Sequence, residues 1–255
     1  MKKLVKYVII DILRNKIVLG YTLFLLVVSL SVFNLEDNSA KGLISLLNII
    51  LIIVPLLCII FATIYVYNSA EFIELLVSQP VRRTTLLLSI YTGLTASLML
   101  ALIVGVGVPV ALYDPSPVGL MLLIAGLLLT AVFTGLALLA SVLTRDKAKG
   151  IGLSILLWFY FAIIFDGLIL FILFQFADYP LEKFSIGITA LNPIDLSRIL
   201  VLLKMDVSAM MGYTGAVFKQ FFEGSYGYIF IAGVMLVWIC SPVALAVNRF
   251  NKKDL

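Results

Sequence analysis

The chain has 255 residues, of which 63% are hydrophobic and only 13% are charged, and its mean hydropathy is +1.18. Soluble domains carry about 45–50% apolar and about 25% charged residues. A soluble fold of this length has too little interior to bury the excess. The composition therefore excludes a soluble protein and predicts an all-α membrane protein with one transmembrane domain over residues 1–255.

Six apolar runs are long enough to cross the bilayer, which takes about 20 residues in a helix. They cover about residues 17–33, 43–67, 85–113, 118–143, 151–174 and 226–247. Residues 1–16 carry lysines and a partly apolar face, and this pattern predicts an interfacial helix with Val5, Ile9, Ile12 and Leu13 in the acyl boundary. Two segments of mixed polarity remain, at 68–84 and 175–225.

The positions of the basic residues predict the orientation, because Lys and Arg accumulate in cytoplasmic loops. With six spans and the N-terminus inside, thirteen of the 18 Lys and Arg face the cytoplasm and five face outward. Four of the five outward cations lie in the long 175–225 segment, and long loops count least in this rule. The sequence thus predicts that both termini are cytoplasmic.

The first mixed segment, 68–84, carries an acidic pair at helical spacing. Glu71 and Glu74 lie three residues apart, so a helix places both carboxylates on one face. Phe72 and Leu75 supply apolar anchors beside them, and Arg82-Arg83 follows Pro80. Two readings are open: an interfacial loop with solvated charges, or a short cytoplasmic helix that docks into another protein.

The second mixed segment, 175–225, contains a helix start at Asn192-Pro193-Ile194-Asp195, with Asn as N-cap and an acid in the first turn. We expect Asp195 and Arg198 to face water. Residues 209–218 are apolar but broken by glycine, so short periplasmic helices, re-entrant or lying on the surface, fit better than a further span. Such a platform either binds a periplasmic partner, with Asn192, Asp195, Arg198, Tyr213 and Phe218 as contacts, or only caps the bundle.

Asp166, inside the fifth predicted span, is a candidate intramembrane polar site because a carboxylate at membrane depth is costly. It either forms a structural hydrogen bond between helices or relays a proton. The chain has no histidine, which excludes His-ligated metal sites and Ser-His-Asp triads. Met205, Met210 and Met211 have no Cys or His nearby and are read as packing residues, so we predict no metal site and no catalytic residue.

The chain has no Gly-x-x-x-x-Gly-Lys-Ser/Thr phosphate loop, so any ATP would be hydrolysed by another chain. Residues 74–83, ELLVSQPVRR, resemble the Glu-Leu-Leu-Leu-Ser-Gln-Pro-Val-x-Arg signature of type-2 ABC transporter permeases. Residues 190–198, ALNPIDLSR, and 211–217, MGYTGAV, are similar to the permease of the transporter that matures nitrous-oxide reductase, a periplasmic copper enzyme of denitrifying bacteria. The resemblance covers essentially the whole chain.

This resemblance implies a non-catalytic permease of the bacterial inner membrane that acts as a homodimer. Its implied partners are two cytoplasmic ATPase subunits, which hold the ATP and Mg²⁺, and a periplasmic β-helical accessory protein. No cofactor is implied in this chain, and no nucleic acid. The resemblance also favours the docking reading of 68–84 and the platform reading of 190–222. A general type-2 exporter of a lipid, drug or polysaccharide is the alternative function.

Overall fold

The computed structural model describes residues 2–36, 38–78, 82–175, 187–205 and 225–252, and in these ranges the chain is helical without β-strands. The labelled α-helices are α1 Lys2–Leu13, α2 Lys16–Leu35, α3 Ser39–Asn68, α4 Ala70–Val77, α5 Arg83–Leu102, α6 Val108–Tyr113, α7 Pro117–Leu143, α8 Lys147–Phe159, α9 Phe165–Gln175, α10 Pro193–Leu202 and α11 Ser225–Asn251. Two π-helical turns, π1 Ile103–Gly107 and π2 Tyr160–Ile164, join α5 to α6 and α8 to α9.

Six helical stretches of the described residues are long and apolar enough to cross a membrane. They are Lys16–Leu35, Ser39–Asn68, Arg83–Tyr113, Pro117–Leu143, Lys147–Ile172 and Gly227–Asn251. The predicted all-α membrane fold with six spanning helices is therefore confirmed.

Several helices begin before the apolar runs that predict them, because polar caps lie outside those runs. The Asn38 side chain accepts a hydrogen bond from the Ala40 amide at 2.9 Å, so α3 starts at Ser39 rather than at residue 43. Asp146 accepts from the Lys149 amide at 2.8 Å, so α8 starts at Lys147 rather than at 151. With 30 residues, α3 is about 45 Å long and extends beyond the roughly 30 Å hydrocarbon layer.

Helix α7 forms the centre of the bundle and packs against α3 on one side and α11 on another. In its most apolar window 72% of the residues are buried, against 11% for the span Lys147–Ile172. Glycine permits the close packing on α11: a Cβ at Gly135 would lie 3.2 Å from Val243 Cγ2, and small residues let membrane helices approach closely. The first, fifth and sixth spans keep wide apolar faces exposed.

Helix α1 packs on α5 rather than lying free of the bundle. Val8 and Ile12 are 1% and 0% exposed, so the expectation that Ile12 lies in the acyl boundary is wrong. The physical reason is that α1 packs closely on α5: at Gly93 of α5 an added Cβ would lie 2.5 Å from Val8 Cγ1. Only a glycine leaves the space that α1 needs for this contact. Leu13 is 36% exposed, as expected for a lipid-facing residue.

Candidate functional site

Helix α4 presents the predicted acidic pair on its surface. Ile73 is 7% exposed and fastens the helix to the bundle, whereas Glu71 and Glu74 are exposed. Leu75 is 66% exposed and Phe72 37%, and the Phe72 ring lies 5.6 Å from the ring of Tyr7 on α1. The outer surface of α4 therefore combines two carboxylates with two partly exposed apolar side chains.

The basic residues that follow α4 mark the start of the third span. Arg82 is exposed and occupies the cap position of α5, and Arg83 is the first residue of that helix. The Ser78 hydroxyl closes the end of α4 by donating to the Leu75 carbonyl at 2.7 Å. The structure thus brings Glu71, Phe72, Glu74 and Leu75 together on one short helix.

The loop between the fourth and fifth spans lies against the end of α3, just before α4. Lys147 Nζ donates to Asn68 Oδ1 at 2.8 Å, and the hydroxyls of Tyr67 and Thr144 are hydrogen-bonded to each other. On the other side of α3, the Tyr65 hydroxyl donates to Asp11 of α1 at 3.0 Å. Helix α4 therefore lies at the end of the bundle where these connections meet.

A second cluster of polar side chains surrounds the start of α10. Asn192 is fully buried, and its side-chain oxygen accepts from the Ile194 amide at 3.0 Å, which confirms it as the N-cap. Its Nδ2 donates to the Phe161 carbonyl and to Asp195 Oδ2, both at 2.9 Å. All the polar atoms of the Asn192 side chain are thus engaged within the protein.

The bond to Phe161 satisfies a carbonyl that the π turn leaves open. In π2 the Phe165 amide donates to the Tyr160 carbonyl, five residues back, instead of to Phe161 as in a regular α-helix. Phe161 also lies edge-on to Trp238 of α11, with ring centroids 5.2 Å apart. The Trp238 indole in turn donates to the Ala190 carbonyl at 3.1 Å. The π turn, α10 and α11 are therefore fixed to one another here.

Asp195, Arg198 and Asp166 form the charged part of this cluster. Arg198 Nη1 lies 3.1 Å from Asp195 Oδ1 and 3.4 Å from Asp166 Oδ2. Burial, and then the neighbouring Asp166, raise the pKa of Asp195 to about 7, although Arg198 opposes that shift. The Asp195 carboxyl therefore keeps its proton to a higher pH than a solvated aspartate does.

The sequence of the chain matches a known family of membrane proteins. The family model described as ABC-2 family transporter protein matches residues 22–255. The chain belongs to the ABC-2 transporter family. It is also similar to a probable ABC transporter permease protein NosY of Pseudomonas aeruginosa, with 26% identity over 223 residues that cover 83% of this chain and 80% of that protein. The resemblance stated from the motifs is thereby confirmed, and the protein is a multi-pass membrane component of a transporter.

In this ABC-2 permease the residues predicted to contact an outer partner differ in accessibility. Asn192 and Asp195 are 0% and 7% exposed, so the expectation that Asp195 faces water is wrong, and its carboxylate instead pairs with Arg198. The Arg198 side chain is 34% exposed. Tyr213 and Phe218 lie outside the described residues. A docking role for this set stays a prediction.

The permease sequence alone did not show that Asp166 has a carboxylate neighbour. Asp166 side-chain exposure is 33%, and it meets Asp195 only because α10 packs beside π2. The sequence did indicate a polar cluster at the start of α10. Asn192, Asp195 and Arg198 follow at three-residue intervals, which places all three on one helix face. Met205, read as a packing residue, is buried at 5% exposure, and Met210 and Met211 lie outside the described residues.

Proposed function

We propose that this chain is the membrane subunit of an ATP-driven transporter and receives the motion of a separate ATPase through α4. The observation that carries this proposal is the surface of α4, where Glu71, Glu74 and Leu75 are exposed while Ile73 holds the helix to the bundle. Acidic and apolar groups on a short anchored helix suit a groove in a soluble partner. The absence of a phosphate loop from the sequence supports a separate ATPase chain.

The orientation that follows places α4 and both termini in the cytoplasm of a bacterium, with the start of α10 at the periplasmic end of the inner membrane. The assembly contains two copies of this chain and two ATPase subunits. ATP and Mg²⁺ bind to the ATPase, and this chain takes no part in their chemistry. The distribution of Lys and Arg supports this orientation.

Within this framework, the transporter acts in the maturation of nitrous-oxide reductase through a periplasmic β-helical accessory protein. The similarity to the permease NosY of Pseudomonas aeruginosa supports this assignment, together with the motifs at 190–198 and 211–217. The spans carry few charged groups other than Asp166, which suits transmission of motion better than passage of a polar cargo. A general type-2 exporter of a lipid, drug or polysaccharide is the second candidate, because the family match covers it equally.

Two experiments test these assignments separately. Affinity purification of the tagged chain from its own cells should recover a nucleotide-binding chain in equal amount, and its absence would contradict the coupling proposal. Deletion of the chain should leave nitrous-oxide reductase exported but without its copper and inactive, with activity restored by the reintroduced chain. A fully copper-loaded enzyme in the deletion strain would favour the general exporter.

The outer partner can be located with a photocrosslinking residue at Leu191, which is 59% exposed beside Asn192. We expect it to capture the accessory protein. The control position is Leu236, which is similarly exposed at 57% but lies within the sixth span and should capture none. Equal capture from both positions, or from neither, would argue against a docking surface at the start of α10.

A further inference from the structure

An apolar crevice opens between α2, α3 and α5, apart from both polar sites. Its volume is about 340 Å³, and its lining includes Ile17, Phe24, Leu57, Ile60, Ile64 and Leu98. An apolar cavity of about 150 Å³ is enough to hold benzene. Ile17 and Phe24 are 55% and 43% exposed, so the crevice is open to the surroundings of a spanning helix. Those surroundings are acyl chains.

Gly20 lines the crevice without adding a side chain to it. A Cβ built there would meet no atom within 4 Å. A larger side chain at this position therefore fits without displacing the backbone, and because Gly20 lines the crevice we expect it to occupy part of that space. This provides a substitution that fills the space and leaves the packing around it intact.

The end of the crevice near Ile17 adjoins a concentration of positive charge. Residues 1–20 contain Lys2, Lys3, Lys6, Arg14 and Lys16 but one acid, Asp11. Asp11 accepts a hydrogen bond from Tyr65, whereas Arg14 and Lys16 are exposed and form no ion pair with any described residue. Lys16 directly precedes Ile17, where the apolar span begins, so its ammonium lies at headgroup depth.

We propose that this crevice binds an anionic phospholipid, with one acyl chain between α2 and α3 and the phosphate on Arg14 and Lys16. The occupant must be apolar along the crevice and negative at this end, and an anionic lipid of the adjoining leaflet has both properties. A second copy of the chain fits less well. A two-fold contact at this crevice would bring the cationic segments of both copies close together in the same leaflet, where the charges repel.

The test is native mass spectrometry of the full chain in detergent, titrated with phosphatidylglycerol or with phosphatidylcholine of the same acyl chains. We expect phosphatidylglycerol to bind more tightly, because each cation near an anionic headgroup contributes a factor of about 5. Replacement of Arg14 and Lys16 by Gln should reduce that preference about tenfold or more. The matched double variant, Arg249→Gln with Lys252→Gln, removes two exposed cations from the end of α11. It should keep the preference for phosphatidylglycerol.

Gly20→Leu should remove binding of both lipids at this site. Gly233→Leu is its control, since a Cβ at Gly233 also meets no atom within 4 Å and Gly233 lies in the sixth span. Gly20→Ala, with a smaller side chain, should weaken binding less than Gly20→Leu. Equal affinity for the two lipids in the wild type, or full binding by monodisperse Gly20→Leu protein, would overturn the proposal. If Gly20→Leu lost self-association but kept lipid binding, the proposal would also be overturned, and the crevice would be an interface between copies.

Discussion

Asn192 donates a hydrogen bond to the Phe161 carbonyl at 2.9 Å, and so joins the first residue before α10 to the π turn of the fifth span. The same side chain caps α10 through the Ile194 amide. A helix that is not itself a span is thereby fixed to one that is. Movement of the fifth span at this level must therefore either carry α10 with it or break a buried hydrogen bond.

The first prediction concerns this bond. Asn192→Ala should lower the stability of the protein by about 1–3 kcal/mol, because it leaves a buried carbonyl without a donor and removes the cap of α10. The measurement is thermal unfolding in detergent. Asn34→Ala is the control, since Asn34 is exposed, its amide donates to a carbonyl of its own helix, and its oxygen accepts only a long, exposed bond of 3.4 Å from Tyr113. Similar melting temperatures for the two variants would show that the Asn192 contact does not stabilise the fold.

Individual residues of this site could be predicted from the sequence, but the contacts between them could not. Asn192 as a cap follows from local chemistry, because an N-cap needs only the amides of its own helix. The pairing of both Asp195 and Asp166 with Arg198 joins residues 29 positions apart in the chain. It also depends on the π turn, for which the sequence carries no local signal. These features depend on contacts between segments that are distant in the chain. Such contacts leave no local pattern from which they could be predicted.

The second prediction is a dependence of stability on pH that comes from Asp195. Its pKa is raised from 3.8 to about 7, so between these values the folded protein binds more protons than the unfolded chain does. Stability is then greatest below the lower value, decreases as the pH rises, and levels off above the higher one. Asp195→Asn should remove this contribution and give a flatter plot of melting temperature against pH. A parallel course for wild type and Asp195→Asn would contradict the raised pKa.

The third prediction concerns the loop contact at the other end of the bundle. A Cβ at Gly150 would collide with the ring and hydroxyl of Tyr67, so Gly150→Ala should displace that ring from Thr144. We expect a destabilisation of about 1–3 kcal/mol, which is typical of overpacking. Gly152→Ala lies on the same helix and meets no atom within 4 Å, so it should be neutral or stabilising by up to about 1 kcal/mol. Equal effects of the two substitutions on the melting temperature would refute the contact.

The fourth prediction concerns the proposed orientation. In a background with Cys58→Ala and Cys240→Ser, a single cysteine at Pro115 should react with a membrane-impermeant maleimide in intact spheroplasts. A cysteine at Ala148 should react only after the membrane is opened. Both positions are exposed, neither substitution changes the charge, and they lie at opposite ends of α7. Labelling of Ala148→Cys from outside would reverse the orientation.

The spanning helices were easier to predict from the sequence than the contacts between helices. Length and hydropathy are properties of each segment alone, which is why six spans could be placed. Helix ends depended on caps such as Asn38 and Asp146, which a search for apolar runs passes over. The packing of α1 on α5 had no signal in the pattern of α1, because the contact of Val8 depends on the missing side chain of Gly93.

Charge reversal on the exposed surface of α4 tests most directly whether this helix receives the motion of a separate ATPase. Loss of a charged partner at a buried interface costs about 2–5 kcal/mol, so Glu74→Arg should lose more than tenfold in affinity for the ATPase, measured by quantitative co-purification of properly inserted protein. Glu36→Arg, the same reversal next to the end of α2 on the other side of the membrane, should retain the ATPase at the wild-type level. If Glu74→Arg recovered as much ATPase as the wild type, at unchanged coupled activity, α4 would not be the docking site of the ATPase.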